Sequence, residues 1–177
     1  MTNGQKDIQF SPDNLKRAEE IIARYPEGKH KSALIPLLHL AQDQFDGWLD
    51  APVMDYVASL LKIQPIEAYE VASFYSMFNL HKRGNCLIEV CRTSSCWLMG
   101  AEDIMRHLEK RLGIKMGETT PDGQFSIRGV ECLGACGYAP MFQVGDTFHE
   151  FLTIEKVDTL LEGFKAEFKE KHSAYLD

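Results

Sequence analysis

VECLGACGYAP, residues 130–140, holds two of the chain's five cysteines, Cys132 and Cys136, with three residues between them and glycines on both sides. Upstream, EVCRTSSCWLMG, residues 89–100, holds Cys91 and Cys96, with four residues between them. Both pairs stand where strand-like sequence gives way to a loop. CLIEVC (86–91) and QFSIRGVEC (124–132) are strand-like, and MFQVGDTFHEFL (141–152) reads as two more short strands joined by a Gly145–Asp146 turn. Trp97 to Leu112 reads as a helix stopped by Gly113, and TIEKVDTLLEGFKAEF (153–168) as a final helix starting near Thr153. A strand–helix–strands–helix order predicts a small two-layer α/β domain over residues 84–177.

The first 83 residues read differently, as a small helical bundle. Ser11 followed by Pro12 is an N-cap and first helical position, with Phe10 and Leu15 spaced for a hydrophobic staple. Leu15, Ala18, Ile21, Ile22 and Tyr25 mark one face, stopped by Pro26 and Gly28. A second helix is predicted from Ser32 to Gly47, with Leu34, Leu37, Leu38, Ala41 and Phe45 inward. A third opens at Asp50–Pro52 and turns Val53, Val57, Leu60 and Leu61 inward. A fourth opens at Pro65 and runs through AYEVASFYSMF (68–78). The fold class is therefore α+β or α/β, a helical N-terminal domain (1–83) before a mixed domain (84–177).

Bulk chemistry removes several function classes. A formal net charge of −7 speaks against nucleic acid or an anionic membrane as the main partner. MTNGQKDIQF (1–10) lacks the cationic start and apolar run of a secretory signal. The longest apolar run, ALIPLL (33–38), is far short of the roughly 20 residues that span a bilayer. The expectation is a cytoplasmic protein with no direct membrane insertion. Thiols stay reduced there, so clustered cysteines point to metal or redox chemistry rather than to disulfides.

Strand ends of an α/β sheet are where ligands usually sit. The loops RTSS (92–95) and LGA (133–135) could turn backbone N–H groups toward an anionic group, and a helix opening at Cys96 or Trp97 would add its positive end. Four thiolates with iron and sulfide form a net-negative centre that such a site favours. Spacing alone leaves zinc open as well, because gaps of two to four residues between paired cysteines occur in structural zinc sites. Unliganded thiols also remain open. A dithiol oxidoreductase fits less well, since neither pair has the two-residue gap of a CxxC motif.

Cys91-x4-Cys96, a gap of 35 residues, and then ECLGACGYAP (131–140) resembles the E-subunit family of respiratory NADH:quinone oxidoreductase, complex I. Relatives in that family include electron-transfer subunits of NAD-linked hydrogenases and formate dehydrogenases. LIPLLHLAQDQFDGW (34–48) and YEVASFYSMF (69–78) carry the resemblance into the helical half, so that it covers about residues 11–165. It implies a thioredoxin-like ferredoxin domain behind a helical one, and a [2Fe-2S] cluster held by Cys91, Cys96, Cys132 and Cys136. It also implies a partner subunit carrying FMN and the NADH site, and a place on the cytoplasmic side of the inner membrane within a complex. Phe151 in HEFLT (149–153) departs from the polar or acidic residue usual there, which bears on a docking surface.

Other residues carry blander expectations. Cys86 lies five residues before Cys91 on the same strand, so their side chains point to opposite faces, and Cys86 is expected to be a packed free thiol. None of His30, His39, His81, His107, His149 and His172 forms a ligand-like pair; His39, among leucines, is expected in the core. SFYSMF (73–78) is expected to pack inward, HKRGN (81–85) to be a solvated turn, and Gly134 and Gly137 to permit close backbone approach to a cluster. No GxGxxG or GxxxxGK[ST] fingerprint and no Ser-His-acid arrangement is present. The chain reads as a one-electron carrier without a nucleotide site, inactive toward NADH alone.

Overall fold

A computed structural model describes residues 8–173, with side chains through Glu167. Residues 1–7, which carry part of the signal-peptide reading, and the side chain of His172 lie outside it. The described residues divide into two compact units, one ending at Lys82 and the other beginning at Arg83.

The first unit is a helical bundle. Helix α1 (Pro12–Ile22) starts where Ser11 Oγ accepts the Asn14 N–H at 3.2 Å. The predicted staple does not form. Phe10 is buried against Tyr56, edge to face at 5.2 Å, and donates its N–H to Tyr56 Oη at 3.0 Å, while Leu15 is exposed. A ring 46 residues away offers more apolar contact than the next turn of the same helix could. The second helix is shorter than predicted, because His30–Ala33 is a 3-10 turn and α2 spans Leu34–Gln44. Pro36 has no N–H to donate and tolerates only the first turn, which places the helix start close to it. Helix α3 (Ala51–Leu61) opens on Asp50, whose Oδ1 accepts the Val53 N–H at 3.0 Å, and stops at Lys62 in the left-handed region. Helix α4 (Pro65–Phe74) is opened by a capping box between Gln64 and Glu67. Leu37, Leu38, Leu49, Val57 and Ala58 form the centre of the bundle's core, with Leu60 packed partly against it.

The fourth helix ends four residues before its predicted limit. Gln42, buried on α2, donates Nε2–H to the Met77 carbonyl (3.1 Å) and accepts the Asn79 N–H (2.7 Å). Those bonds hold 77–79 as a non-helical strap that leaves the helix through a turn, Phe78 N–H to the Tyr75 carbonyl at 3.1 Å, since a buried amide must find its partners wherever the backbone can supply them. Phe74, the last residue of α4, is exposed, and beyond it Tyr75 and Met77 face out while Phe78 packs inward on His39 at 4.9 Å. The expectation that SFYSMF forms core is thus overturned for most of its residues.

The second unit places helices against a four-stranded sheet of order β2-β1-β3-β4. Strand β1 (Cys86–Cys91) pairs in parallel with β2 (Phe125–Val130), from Cys86 beside Phe125 to Cys91 beside Val130. A parallel pair requires a crossover, here supplied by α5 (Ser94–Leu98) and α6 (Ala101–Leu112). The single helix predicted over Trp97–Leu112 is instead two, broken at Gly100, whose φ of +96° suits glycine alone. Gly113, at φ +71°, ends α6 as expected. Strand β3 (Phe142–Val144) runs antiparallel to β1 and turns through Gly145 into β4 (Thr147–His149). Helix α7 (Ile154–Ser173) opens with Thr153 Oγ1 accepting the Lys156 N–H at 3.2 Å. Period-two alternation turns Cys86, Ile88 and Val90 toward Ile104, Leu108, Leu161 and Phe164, and sends Cys91 to the other side. Among the described residues no helix is long and apolar enough to cross a membrane.

Candidate metal centre

One end of the sheet carries the cysteines. Cys91 is the last residue of β1. Cys96 lies inside α5 rather than at its start, because Thr93 already takes the N-cap position. Both are buried, in a small cluster with Ala101, Ala139 and Met141. Cys132 is two residues past the end of β2, not on the strand as predicted, and Cys136 begins a 3-10 turn over Cys136–Tyr138. Both of these are exposed. Beyond Val130, where the pairing with β1 ends, the Glu131 carboxylate pairs with Arg92 at the surface and its carbonyl lies 3.4 Å from Cys91 Sγ.

Hydrogen-bond donors turn toward these sulfurs. Thr93 Oγ1 lies 3.4 Å from Cys91 Sγ, and the Gly134 N–H donates to Cys132 Sγ at 3.3 Å. Gly134 holds a left-handed φ of +75°, which presents that N–H to the sulfur. A Cβ at Gly134 or Gly137 would meet no protein atom within 4 Å, so neither glycine answers to a tight approach within the chain. Burial opposes ionisation of Cys91, yet hydrogen bonds from Thr93 Oγ1 and from the N–H groups of Thr93 and Leu133 outweigh it and hold the thiol below its ordinary range. Burial, and then the hydrogen bond and charge of Cys91, push Cys96 up to about 11.

The donor set suits a cluster of iron and sulfide. Cys91 and Cys96 are in contact, and Cys136 lies close enough to act on Cys96 by its charge. Among the described residues, no three His, Cys, Asp or Glu side chains form a group that could hold a metal ion, so the structure brings Cys91 and Cys96 together without gathering all four cysteines.

Residues 18–165 match the family described as thioredoxin-like [2Fe-2S] ferredoxin. The chain belongs to this family. Membership decides between the metals that cysteine spacing left open, in favour of iron and sulfide. The E subunit of NADH-quinone oxidoreductase from Rickettsia felis is 49% identical over 163 residues, covering 92% of this chain and 98% of the relative. The NADH dehydrogenase [ubiquinone] flavoprotein 2 of Dictyostelium discoideum is 47% identical over 163 residues, covering 92% of this chain and 66% of that protein. The fold also matches the crystal structure of an NAD+-reducing [NiFe]-hydrogenase in the H2-reduced state, with a TM-score of 0.67 and 22% identity over 75% of this chain and 22% of that one.

Two features escaped the sequence. Thr93 reads as part of the loop RTSS, and only the fold makes it the N-cap of α5 and brings its hydroxyl to a sulfur. Trp97, Leu98 and Met99 are all exposed directly after Cys96, and Tyr138 and Phe151, ring to ring at 5.7 Å, are exposed beyond Cys136. The signal for the first group was present: three large apolar residues in succession cannot all face inward from one turn of helix.

Proposed function

We propose that this chain is the electron-transfer subunit of an NADH:quinone oxidoreductase, carrying one [2Fe-2S] cluster on Cys91, Cys96, Cys132 and Cys136. The contact between buried Cys91 and Cys96 at the sheet end, beside the loop that holds Cys132 and Cys136, is the observation that supports this ligand set. Such a cluster supplies a centre that takes up and releases one electron at a time. Cys91 and Cys96 bring donors from the apolar side and Cys132 and Cys136 from the solvent side. The Thr93 and Leu133 amides direct positive dipoles at a group that is net negative. The chain carries no nucleotide fingerprint, so hydride chemistry belongs to a flavin on another subunit. The exposed run Trp97, Leu98 and Met99, and the exposed pair Tyr138 and Phe151, are the apolar groups this reading assigns to contact with that subunit, since exposed apolar groups of this size mark contact surfaces.

Anaerobically purified protein is expected to be reddish-brown, with about two irons and two sulfides per chain, and paramagnetic once reduced. Changing any of Cys91, Cys96, Cys132 or Cys136 to Ala should abolish or cripple that signal. Colourless protein with stoichiometric zinc would refute the assignment. Leu98→Asp should weaken co-purification with the flavin subunit while leaving iron content unchanged. Turnover of NADH with a one-electron dye by this chain alone, free of flavin, would defeat the carrier role.

A further inference from the structure

Thr93 occupies the N-cap of α5, where a threonine hydroxyl ordinarily accepts a backbone N–H from the first turn. Here it makes no such bond, and its Oγ1 stands 3.4 Å from Cys91 Sγ. The helix start is left without its side-chain cap, and the hydroxyl faces the sulfur instead. Resting on the assignment of Cys91 as a cluster ligand, we propose that the Thr93 hydroxyl is a positioning residue that donates to the Cys91 sulfur and raises the reduction potential of the centre.

The direction of the bond follows from the chemistry of the ligand. As a thiol, Cys91 can donate to the Glu131 carbonyl, 3.4 Å away. As a metal-bound thiolate it has no proton to give, so between Thr93 and Cys91 only the hydroxyl can be the donor. The Glu131 carbonyl then faces the sulfur as a second acceptor, and the hydroxyl offsets it. A donor bond strengthens as its acceptor becomes more negative. Reduction adds one electron to the centre, so the hydroxyl stabilises the reduced form more than the oxidised one. The Thr93 N–H also points at Cys91, but it belongs to the backbone and survives any side-chain change. Side-chain variants therefore isolate the hydroxyl.

The test is a redox titration of the full chain with its cluster, followed by the paramagnetic signal of the reduced protein and by visible absorbance, with iron and sulfide measured in parallel. Thr93→Val keeps the shape and removes the hydroxyl. It should hold the same iron and sulfide, with a midpoint more negative by about 59 mV for a tenfold loss in preference for the reduced form. Thr93→Ala should shift the same way, and Thr93→Ser should stay with the native protein. An unshifted Thr93→Val, or a Thr93→Ser shifted as far as Thr93→Val, overturns the proposal. Cluster loss in both Thr93→Val and Thr93→Ala, with Thr93→Ser intact, also overturns it, because the hydroxyl would then serve assembly rather than potential. Native protein without iron would instead remove the cluster reading on which this one rests.

Discussion

Replacing Cys86 by serine separates the fifth cysteine from the other four by both stability and cofactor content. Cys86 is fully buried on β1, in the apolar cluster with Ile88, Ile127 and Phe164. Burial pushes its thiol up to about 12, so it is neutral and behaves as a small apolar side chain. Serine puts a hydroxyl of similar shape where thiol chemistry asked for no partner. Leaving such a group desolvated costs about 1–3 kcal/mol. Cys86→Ala removes roughly one methyl-sized group, about 0.8 kcal/mol, and introduces no polar atom. For a cooperative unit of about 95 residues, each kcal/mol corresponds to about 4–8 °C in Tm. The serine variant should therefore melt about 4–24 °C below the native protein and below the alanine variant as well. Circular dichroism against temperature measures the order, with iron and sulfide assayed on the same samples. Both variants should keep the full cluster, since Cys86 and Cys91 belong to separate buried clusters. A serine variant as stable as the alanine one would refute the desolvation argument. Loss of iron from either folded variant would refute the ligand set.

The same thiol gives a pH dependence. Its folded pKa is raised to about 12 from an ordinary 9.0, so the unfolded chain loses the proton first and the stabilisation present below pH 9 is lost as pH rises toward 12. Denaturant titrations of native protein and Cys86→Ala should therefore converge and then cross within that window; a constant gap would count against a buried neutral thiol. Gly84→Ala should destabilise by roughly 1–3 kcal/mol or more, because a Cβ there would stand 2.6 Å from the Phe125 carbonyl carbon on a backbone that cannot yield. Native-like melting of that variant would show that the approach of residue 84 to β2 is looser than described. Gln42→Ala should cost about 2–3 kcal/mol, as it leaves the Asn79 N–H and Met77 carbonyl without their buried partner. If the strap from Met77 to Asn79 depends on that amide, proteolytic cleavage near residues 74–79 should also accelerate; unchanged resistance would place its support elsewhere.

The sequence by itself determined the elements and the chemistry. Alternation in CLIEVC defined a strand and put Cys86 and Cys91 on opposite faces, because successive side chains leave a strand in opposite directions. Ser11, Asp50 and Thr153 marked helix starts through short-range bonds that each segment makes within itself. The four-cysteine pattern, read as a resemblance, pointed to the family that matches over residues 18–165. What required the tertiary structure were the long-range contacts. Nothing local to Phe10 announces Tyr56, and nothing local to SFYSMF announces that Gln42 will draw residues 77–79 out of the helix. The break at Gly100 lies in the crossover between β1 and β2, and β2 ends where its pairing with β1 ends, at Val130 beside Cys91. Thr93 belongs with them. Whether its hydroxyl caps a helix or faces a sulfur depends on where β1 delivers Cys91, and short-range sequence patterns cannot encode a position that only the packed sheet defines.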